Sequence, residues 1–96
     1  MIESFGNELA KDLFLDKSSR EGKRFPEKLR RAARRKLLYL HDAASLLDLR
    51  VPPGNRLEAV KGDWRGFYSV RINDQWRVVF KWNDNNVFEV YVIDYH

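Results

Sequence analysis

The chain has 96 residues, no cysteine and a formal net charge of +4. Its length leaves room for one domain over residues 1–96, with a modest core and an open groove rather than an enclosed cleft. The absence of cysteine excludes disulfides, a thiolate nucleophile and a zinc–sulfur site. Since the first residues lack the features of a secretory signal and no apolar stretch approaches the roughly 20 residues that cross a bilayer, we expect a cytoplasmic protein with no membrane contact.

The first half of the chain carries helical patterns. Residues 2–5 favour a short strand, and Asn7 can cap a helix that continues to about Leu15. A second helix is predicted for residues 26–41, and a further short helical turn for residues 43–49. The longer helix has an apolar stripe at intervals of three or four residues, made of Leu29, Ala33, Leu37 and Leu40.

A basic run overlaps the start of the longer helix. Nine of the 18 lysines and arginines lie between Arg20 and Lys36, against only Glu21 and Glu27. Such a run is either a solvated helix face or a surface that attracts phosphates or an acidic protein partner. The composition leaves both interpretations open.

Two prolines divide the helical half from a half with the pattern of a β-sheet. Pro52 and Pro53 forbid a helix, and Gly54 permits a turn. The segments that follow predict strands over residues 56–61, 67–72, 75–82 and 87–93. Because neither half can bury a core alone, we expect an α+β fold with an N-terminal strand and helices packed on one face of a small antiparallel sheet.

The third of these strands sends alternate residues to two faces of different character. Its two faces carry Trp76, Val78, Phe80 and Trp82 on one side, and Arg77, Val79 and Lys81 on the other. Arg77 therefore leaves the sheet opposite the tryptophans. For the preceding hairpin we expect a three-residue or bulged loop that pairs Val70 with Trp76, because a strict two-residue loop would mix charged and apolar residues on one face. The same register would pair Ser69 with Arg77.

The chain ends in residues suited to acid–base chemistry. Asp94, Tyr95 and His96 supply a carboxylate, a phenol and an imidazole within three residues. Alternation places Asp94 and His96 on the same strand face. The simpler interpretations are an ion pair for Asp94, a core position for Tyr95 and an exposed end for His96.

Further candidates lie on the predicted sheet. Lys61 and Arg77 are the cations expected to face a substrate, since a guanidinium can bind a phosphate through two parallel hydrogen bonds. Glu58 is either a general base or the ion-pair partner of Arg56. No glycine-rich phosphate loop is present, and two histidines without ligand spacing predict no metal and no cofactor. What remains is metal-free cleavage of RNA, in which a ribose 2′-hydroxyl attacks its own 3′ phosphate while the protein moves protons and stabilises charge.

Three segments in this order resemble the HigB toxins, in the plasmid-maintenance killer-protein branch of the RelE/ParE toxin superfamily. They are residues 56–63 (RLEAVKGD), 69–77 (SVRINDQWR) and 94–96 (DYH). The resemblance is strong over residues 52–96, and the helical half fits in pattern only. It implies a RelE-like microbial RNase-type fold and ribosome-dependent cleavage of mRNA by an endoribonuclease that inhibits translation. It also implies neutralisation by a HigA-type helix-turn-helix antitoxin, whose complex with the toxin binds operator DNA.

The resemblance further implies roles for individual residues. Arg77 and Lys61 would stabilise the charged phosphate, and residues 94–96 would form a terminal catalytic cluster. Some members have a histidine where this chain has Glu58, so either this glutamate is the general base, or His96 is, or the activity is weaker. RNA contacts are expected from six further arginines: Arg30, Arg31, Arg34, Arg35, Arg56 and Arg71.

Two other functions fit the same residues. A toxin of the ParE branch has this fold but poisons gyrase, so its expression would damage DNA and leave mRNA intact. A non-catalytic basic domain that binds RNA or protein would tolerate the loss of His96 and would leave no cut ends in cellular RNA. The products that accumulate after expression distinguish all three functions.

Overall fold

The computed structural model describes residues 1–17 and 25–94. Within these ranges, two α-helices precede four β-strands: α1 (Glu8–Leu15), α2 (Arg30–Asp42), β1 (Glu58–Ala59), β2 (Tyr68–Arg71), β3 (Trp76–Asn83) and β4 (Asn86–Asp94). Neighbouring strands pair antiparallel in the order β1–β2–β3–β4. The helices share one buried cluster with the sheet, which confirms the predicted α+β class. No helix in the described ranges is long and apolar enough to cross a membrane.

The N-terminal segment joins the β4 edge of the sheet. Ile2 and Phe5 form parallel bridges to β4. Asn7 then caps α1, because its Oδ1 accepts a hydrogen bond from the Ala10 N–H at 3.0 Å. Its Nδ2 donates to the Val92 carbonyl at 3.0 Å. The Asn7 cap is confirmed, and it also holds the start of the helix against the sheet. The strand predicted for residues 2–5 is reduced to two isolated bridges, at Ile2 and Phe5.

The second helix supplies the centre of the core. One 3₁₀ turn (Glu27–Leu29) leads into α2, so the helical stretch agrees with the prediction to within one residue at each end. The buried side chains of α2 pack in one cluster with those of β3: Ala33, Leu37, Leu40, Val78 and Phe80. Truncating one of these leucines to alanine is expected to cost about 2–5 kcal/mol of stability.

The connection between the helices and the sheet differs from the prediction. The helical turn predicted for residues 43–49 begins later, at Leu46–Arg50, because Ser45 is extended and caps it. β1 is confined to two residues and is shorter than predicted. It begins late because Arg56 has a left-handed backbone with a φ of 47°, and it ends early because a 3₁₀ turn starts at Gly62.

The β2–β3 hairpin has the predicted three-residue loop, but the predicted pairing is wrong. Val70 pairs with Val78 instead of Trp76. The loop contains only residues 73–75 and closes where the Ile72 N–H donates to the Trp76 carbonyl at 2.9 Å. Because the register differs by two residues, every side chain keeps its predicted face.

Candidate active site

The side chains of β3 alternate between the two faces of the sheet, a core face that packs with the helices and an open face. The side that packs with the helices carries the predicted row: Trp76, Val78, Phe80 and Trp82. Arg77 lies on the opposite face, as the alternation predicts. In the observed register its cross-strand neighbour is Arg71 rather than Ser69. Cβ atoms of directly opposed residues lie about 5 Å apart, so two arginines start side by side on the open face.

Arg56 adds a third arginine. Its backbone carbonyl accepts a hydrogen bond from Nη2 of Arg77 at 3.0 Å. The hydrogen bond and the charge of Arg71 lower the pKa of Asp74, and the charge of Arg56 adds to this lowering. Arg56, Arg71 and Arg77 therefore converge at one end of the open face, and we call them the arginine cluster. Such a cluster suits a phosphate group.

Two carboxylates offset two of the three positive charges in the arginine cluster. Oε1 of Glu58 lies 3.3 Å from Nη2 of Arg77, and Asp74 pairs with Arg71. The Arg77 side chain is only 12% exposed, whereas that of Glu58 is 55% exposed. The cation is thus held in the sheet surface while the carboxylate beside it stays accessible. An accessible carboxylate in contact with a fixed cation can accept a proton next to a bound phosphate.

Lys61 lies just after β1. It precedes the 3₁₀ turn Gly62–Trp64, and its side chain is exposed. Within the described part of the chain it takes part in no hydrogen bond or ion pair, so its ammonium group is accessible to a ligand.

Asp94 lies on the other side of the sheet from Arg77. β4 pairs Ile93 with Arg77 and Asp94 with Trp76, and directly opposed residues share a face. The Asp94 carboxylate accepts a hydrogen bond from Nε2 of Gln75 at 2.9 Å. The register therefore places Asp94 and Arg77 on opposite faces of the sheet, and the catalytic role of Asp94 stays a prediction.

The structure brings together only part of the predicted catalytic set. Arg77 and Glu58 are in contact, and the ion-pair partner of this glutamate is Arg77 and not Arg56. Tyr95 and His96 lie outside the described residues, so their roles stay predictions. Among the residues that are described, no three histidine, aspartate or glutamate side chains gather as metal ligands would.

The basic face of α2 consists of two different pairs of arginines. Arg30 and Arg34 turn toward the end of α1, where they donate to backbone carbonyls at 3.2 and 3.3 Å. Cations stabilise the carbonyl end of a helix, so these two arginines help to join the helices. Arg31 and Arg35 are exposed and have no partner among the described residues. Among the described residues, the charge of this second pair is therefore not engaged by the protein itself.

Two residues that sequence reasoning did not single out lie behind the arginine cluster. Lys36, at the end of the basic run, donates from Nζ to Oδ1 of Asn55. Asn55 has no exposed surface and immediately precedes Arg56. An asparagine after two prolines and a glycine is a signal for a fixed turn. Its partner, 19 residues away, cannot be found from local spacing.

The rest of the open face is covered by a second apolar cluster. Trp64, Phe67 and Tyr91 pack edge to face, with ring centroids 4.8 to 6.1 Å apart. They lie beside the buried Val79, which pairs with Tyr91. Lys81 lies over the Phe67 ring, 5.0 Å from its centroid. The side chains on this face therefore divide into an apolar cluster and the arginine cluster.

Comparison with known protein families covers almost the whole chain. Residues 3–96 match the family model described as a RelE-like toxin of type II toxin-antitoxin system HigB. The chain belongs to the HigB-like toxin family. It is the toxin of a type II toxin-antitoxin system, which has an antitoxin as its partner, and the family assignment supports ribonuclease activity.

Curated relatives agree with this assignment. The toxin is 38% identical over 85 residues to toxin HigB-1 of Vibrio cholerae serotype O1, with 85% of this chain and 90% of the relative covered. An uncharacterized protein of Haemophilus influenzae is 33% identical over 69 residues, with 72% and 68% covered. The extent of the first match confirms the predicted HigB resemblance.

Solved structures show the same fold. YafQ from Escherichia coli matches with a TM-score of 0.58 at 19% identity, covering 98% of this toxin and 91% of YafQ. A chain of the heterotetrameric YoeB–YefM toxin-antitoxin complex from Staphylococcus aureus matches with a TM-score of 0.58 at 18% identity, covering 100% and 98%. At these identities the likeness concerns the fold, and it confirms the predicted RelE-like architecture.

Proposed function

We propose that this toxin is a ribosome-dependent, metal-independent endoribonuclease that cuts mRNA and thereby stops translation. The observation that carries the proposal is the contact between the Arg77 guanidinium and the Glu58 carboxylate, at 3.3 Å, on the open face of the sheet. Arg71 stands beside Arg77 on the neighbouring strand. A phosphate bound by these arginines comes next to an accessible carboxylate.

The proposed reaction uses the ribose 2′-hydroxyl of the mRNA as the nucleophile. Glu58 or His96 takes the proton of that hydroxyl, and the oxygen attacks the adjacent 3′ phosphorus. The bond from phosphorus to the 5′ oxygen of the next nucleotide breaks, and this oxygen takes up a proton as it leaves. The products are a 2′,3′-cyclic phosphate and a 5′-hydroxyl end.

The charge that develops on the phosphate is stabilised by Arg77, with contributions from Arg71 and Lys61. A donor that is fixed in advance and aimed at developing charge contributes about 10²–10³-fold to the rate. Arg77 is suited to this task because its Nη2 already contacts the Arg56 carbonyl and the Glu58 carboxylate before substrate arrives. It therefore needs little rearrangement during the reaction.

The other predicted residues have supporting roles. We assign Tyr95 the orientation of the reacting phosphate. Asp94 supports the loop between β2 and β3 through its hydrogen bond with Gln75. Arg31 and Arg35, which are exposed on α2, contact ribosomal RNA, because a basic surface attracts its phosphates.

The proposed partner is a HigA-type helix-turn-helix antitoxin. The family assignment supports an antitoxin, and one of the structures with the same fold is a toxin-antitoxin complex. The toxin would reach operator DNA only as part of its complex with the antitoxin. Free toxin would act in the cytoplasm, where ribosomes translate mRNA.

Mapping RNA 5′ ends after brief expression tests the proposal. Wild-type toxin is expected to create new 5′-hydroxyl ends within translated mRNA, and a double variant with Arg77→Ala and His96→Ala is expected to create none. Lys11→Ala changes an exposed lysine on α1 and serves as the control. Equal arrest of translation by the wild type and the double variant would refute the catalytic assignment.

Purified toxin and the RNA and DNA of the expressing cells test the other parts of the proposal. Purified toxin that cuts naked mRNA as fast as ribosome-bound mRNA would refute ribosome dependence. Fragments with 5′-phosphate and 3′-hydroxyl ends would refute the 2′-hydroxyl mechanism. DNA damage with intact mRNA would identify a gyrase poison, and arrest without damage to either polymer would identify a non-catalytic binding domain.

A further inference from the structure

Lys36 differs from the arginines around it because its side chain turns inward. Its Nζ donates a hydrogen bond to Oδ1 of Asn55 and lies 5.6 Å from the centroid of the Tyr39 ring. Burial, followed by the charges of Arg35 and Arg71, lowers the pKa of Lys36. A partly buried ammonium group close to other cations is unfavourable by itself. The contact with Asn55 offsets this cost.

Asn55 uses its whole side-chain amide to hold one turn. Its Nδ2 donates to the Leu49 carbonyl at 3.1 Å and to the Val51 carbonyl at 3.3 Å, while its Oδ1 accepts from Lys36. The residue is fully buried. Because a buried amide oxygen without a hydrogen-bond donor is costly, the ammonium group is the partner that keeps Asn55 in place.

The turn held by Asn55 determines where Arg56 lies. A 3₁₀ turn covers Pro53–Asn55, and Arg56 follows with a left-handed φ of 47°, which is uncommon for a residue with a side chain. In this conformation the Arg56 carbonyl accepts the hydrogen bond from Nη2 of Arg77 at 3.0 Å. Successive contacts therefore connect Lys36 on the basic helix with the Arg77 guanidinium on the open face of the sheet.

We propose that Lys36 and Asn55 are positioning residues for Arg77. The ammonium group holds the buried amide, the amide holds the turn, and the Arg56 carbonyl at the end of the turn holds the guanidinium. The effect on cleavage rests on the function proposed above, whereas the effect on the geometry of Arg77 does not. Neither effect requires Lys36 to touch RNA.

The Nε–Hε resonance of Arg77 in ¹⁵N-labelled toxin reports the geometry directly, and its loss in Arg77→Lys assigns it. Lys36→Met removes the ammonium group at similar length and is expected to shift or broaden this resonance. Lys11→Met removes the same charge from an exposed position on α1 and should leave it unchanged. Lys36→Arg restores a donor and should return the resonance toward its wild-type position. An unchanged resonance in folded Lys36→Met protein would overturn the proposal.

Cleavage of ribosome-bound mRNA separates positioning from the alternatives. A misplaced catalytic group lowers kcat, so Lys36→Met should reduce kcat about 10- to 100-fold with little change in KM. A lysine that contacts RNA would instead raise KM and weaken the salt dependence of binding. A lysine that only stabilises the fold would lower Tm and leave kcat intact below the transition. Either of these two results would overturn the proposal.

Two further outcomes are covered by the same design. If wild-type toxin does not cut mRNA, the proposed function fails while the Arg77 resonance still tests positioning. If Lys36→Met does not fold, Lys36→Gln takes its place. This side chain is uncharged and shorter, so the same shift of the Arg77 resonance and the same loss of kcat are expected.

Discussion

If Glu58 is the general base, Glu58→Gln should nearly abolish RNA cleavage while leaving the fold almost as stable as that of the wild type. The substitution keeps the shape of the side chain and removes its charge and its ability to take a proton. Because the Glu58 side chain is 55% exposed, solvent screens its ion pair with Arg77, and such pairs contribute about 0–1 kcal/mol to stability. In a domain of this size about 1 kcal/mol shifts Tm by about 4–8 °C, so the decrease in Tm should stay within that range.

The expected effect on cleavage is much larger. A positioned general base contributes about 10²–10⁴-fold to the rate. At about 1.4 kcal/mol for each factor of ten, this corresponds to about 3–5 kcal/mol of transition-state stabilisation. The two effects are measured by urea unfolding and by single-turnover cleavage of ribosome-bound mRNA at the same temperature.

Glu89→Gln is the matched control. Glu89 pairs with Lys81 at 2.9 Å, and the two side chains are 47% and 46% exposed, so the variant loses a comparable ion pair from the same sheet. It should show the same small change in stability and cut mRNA like the wild type. If Glu58→Gln also cuts at the wild-type rate, Glu58 is not the base and His96 is left as the candidate.

Three further substitutions test the fold. Leu37→Ala leaves a cavity at a fully buried position and should lower the free energy of unfolding by about 2–5 kcal/mol. Leu47 is 61% exposed, so Leu47→Ala should cost less than about 0.5 kcal/mol. Urea unfolding measures both variants, and equal losses would contradict the packing. Gly6→Ala pushes a methyl group into the ring of Tyr91 and should cost about 1–3 kcal/mol in the same assay, so wild-type stability would count against this contact. Asp74→Asn removes a carboxyl group, and the neighbouring Arg71 guanidinium lowers the pKa of that group. The wild type should therefore be more stable than the variant above pH 3.8 and should lose this advantage as the pH falls through the lowered pKa. A stability difference that does not change with pH would contradict the pairing.

Local patterns in the sequence determined those features that lie within one element. The face on which Arg77 projects follows from the alternation along one strand, and the start of α1 follows from the side chain of Asn7. The change from helices to sheet follows from Pro52 and Pro53. Each of these features depends on residues that are neighbours in the chain, so the sequence displays it directly. The resemblance over three segments indicated the toxin family in the same way.

Only the tertiary structure decided what surrounds Arg77. The hairpin register brings Arg71 beside it, the approach of β1 brings Glu58 into contact, and the pairing of β4 takes Asp94 to the other side of the sheet. The contact that directs Lys36 inward, between α2 and the turn that contains Asn55, also joins residues that are far apart in the sequence. A register shift of two residues leaves every alternation intact, so periodicity does not distinguish one pairing from the next. Loop geometry and the packing of distant segments together select the register. The same packing brings the Glu58 carboxylate into contact with Arg77.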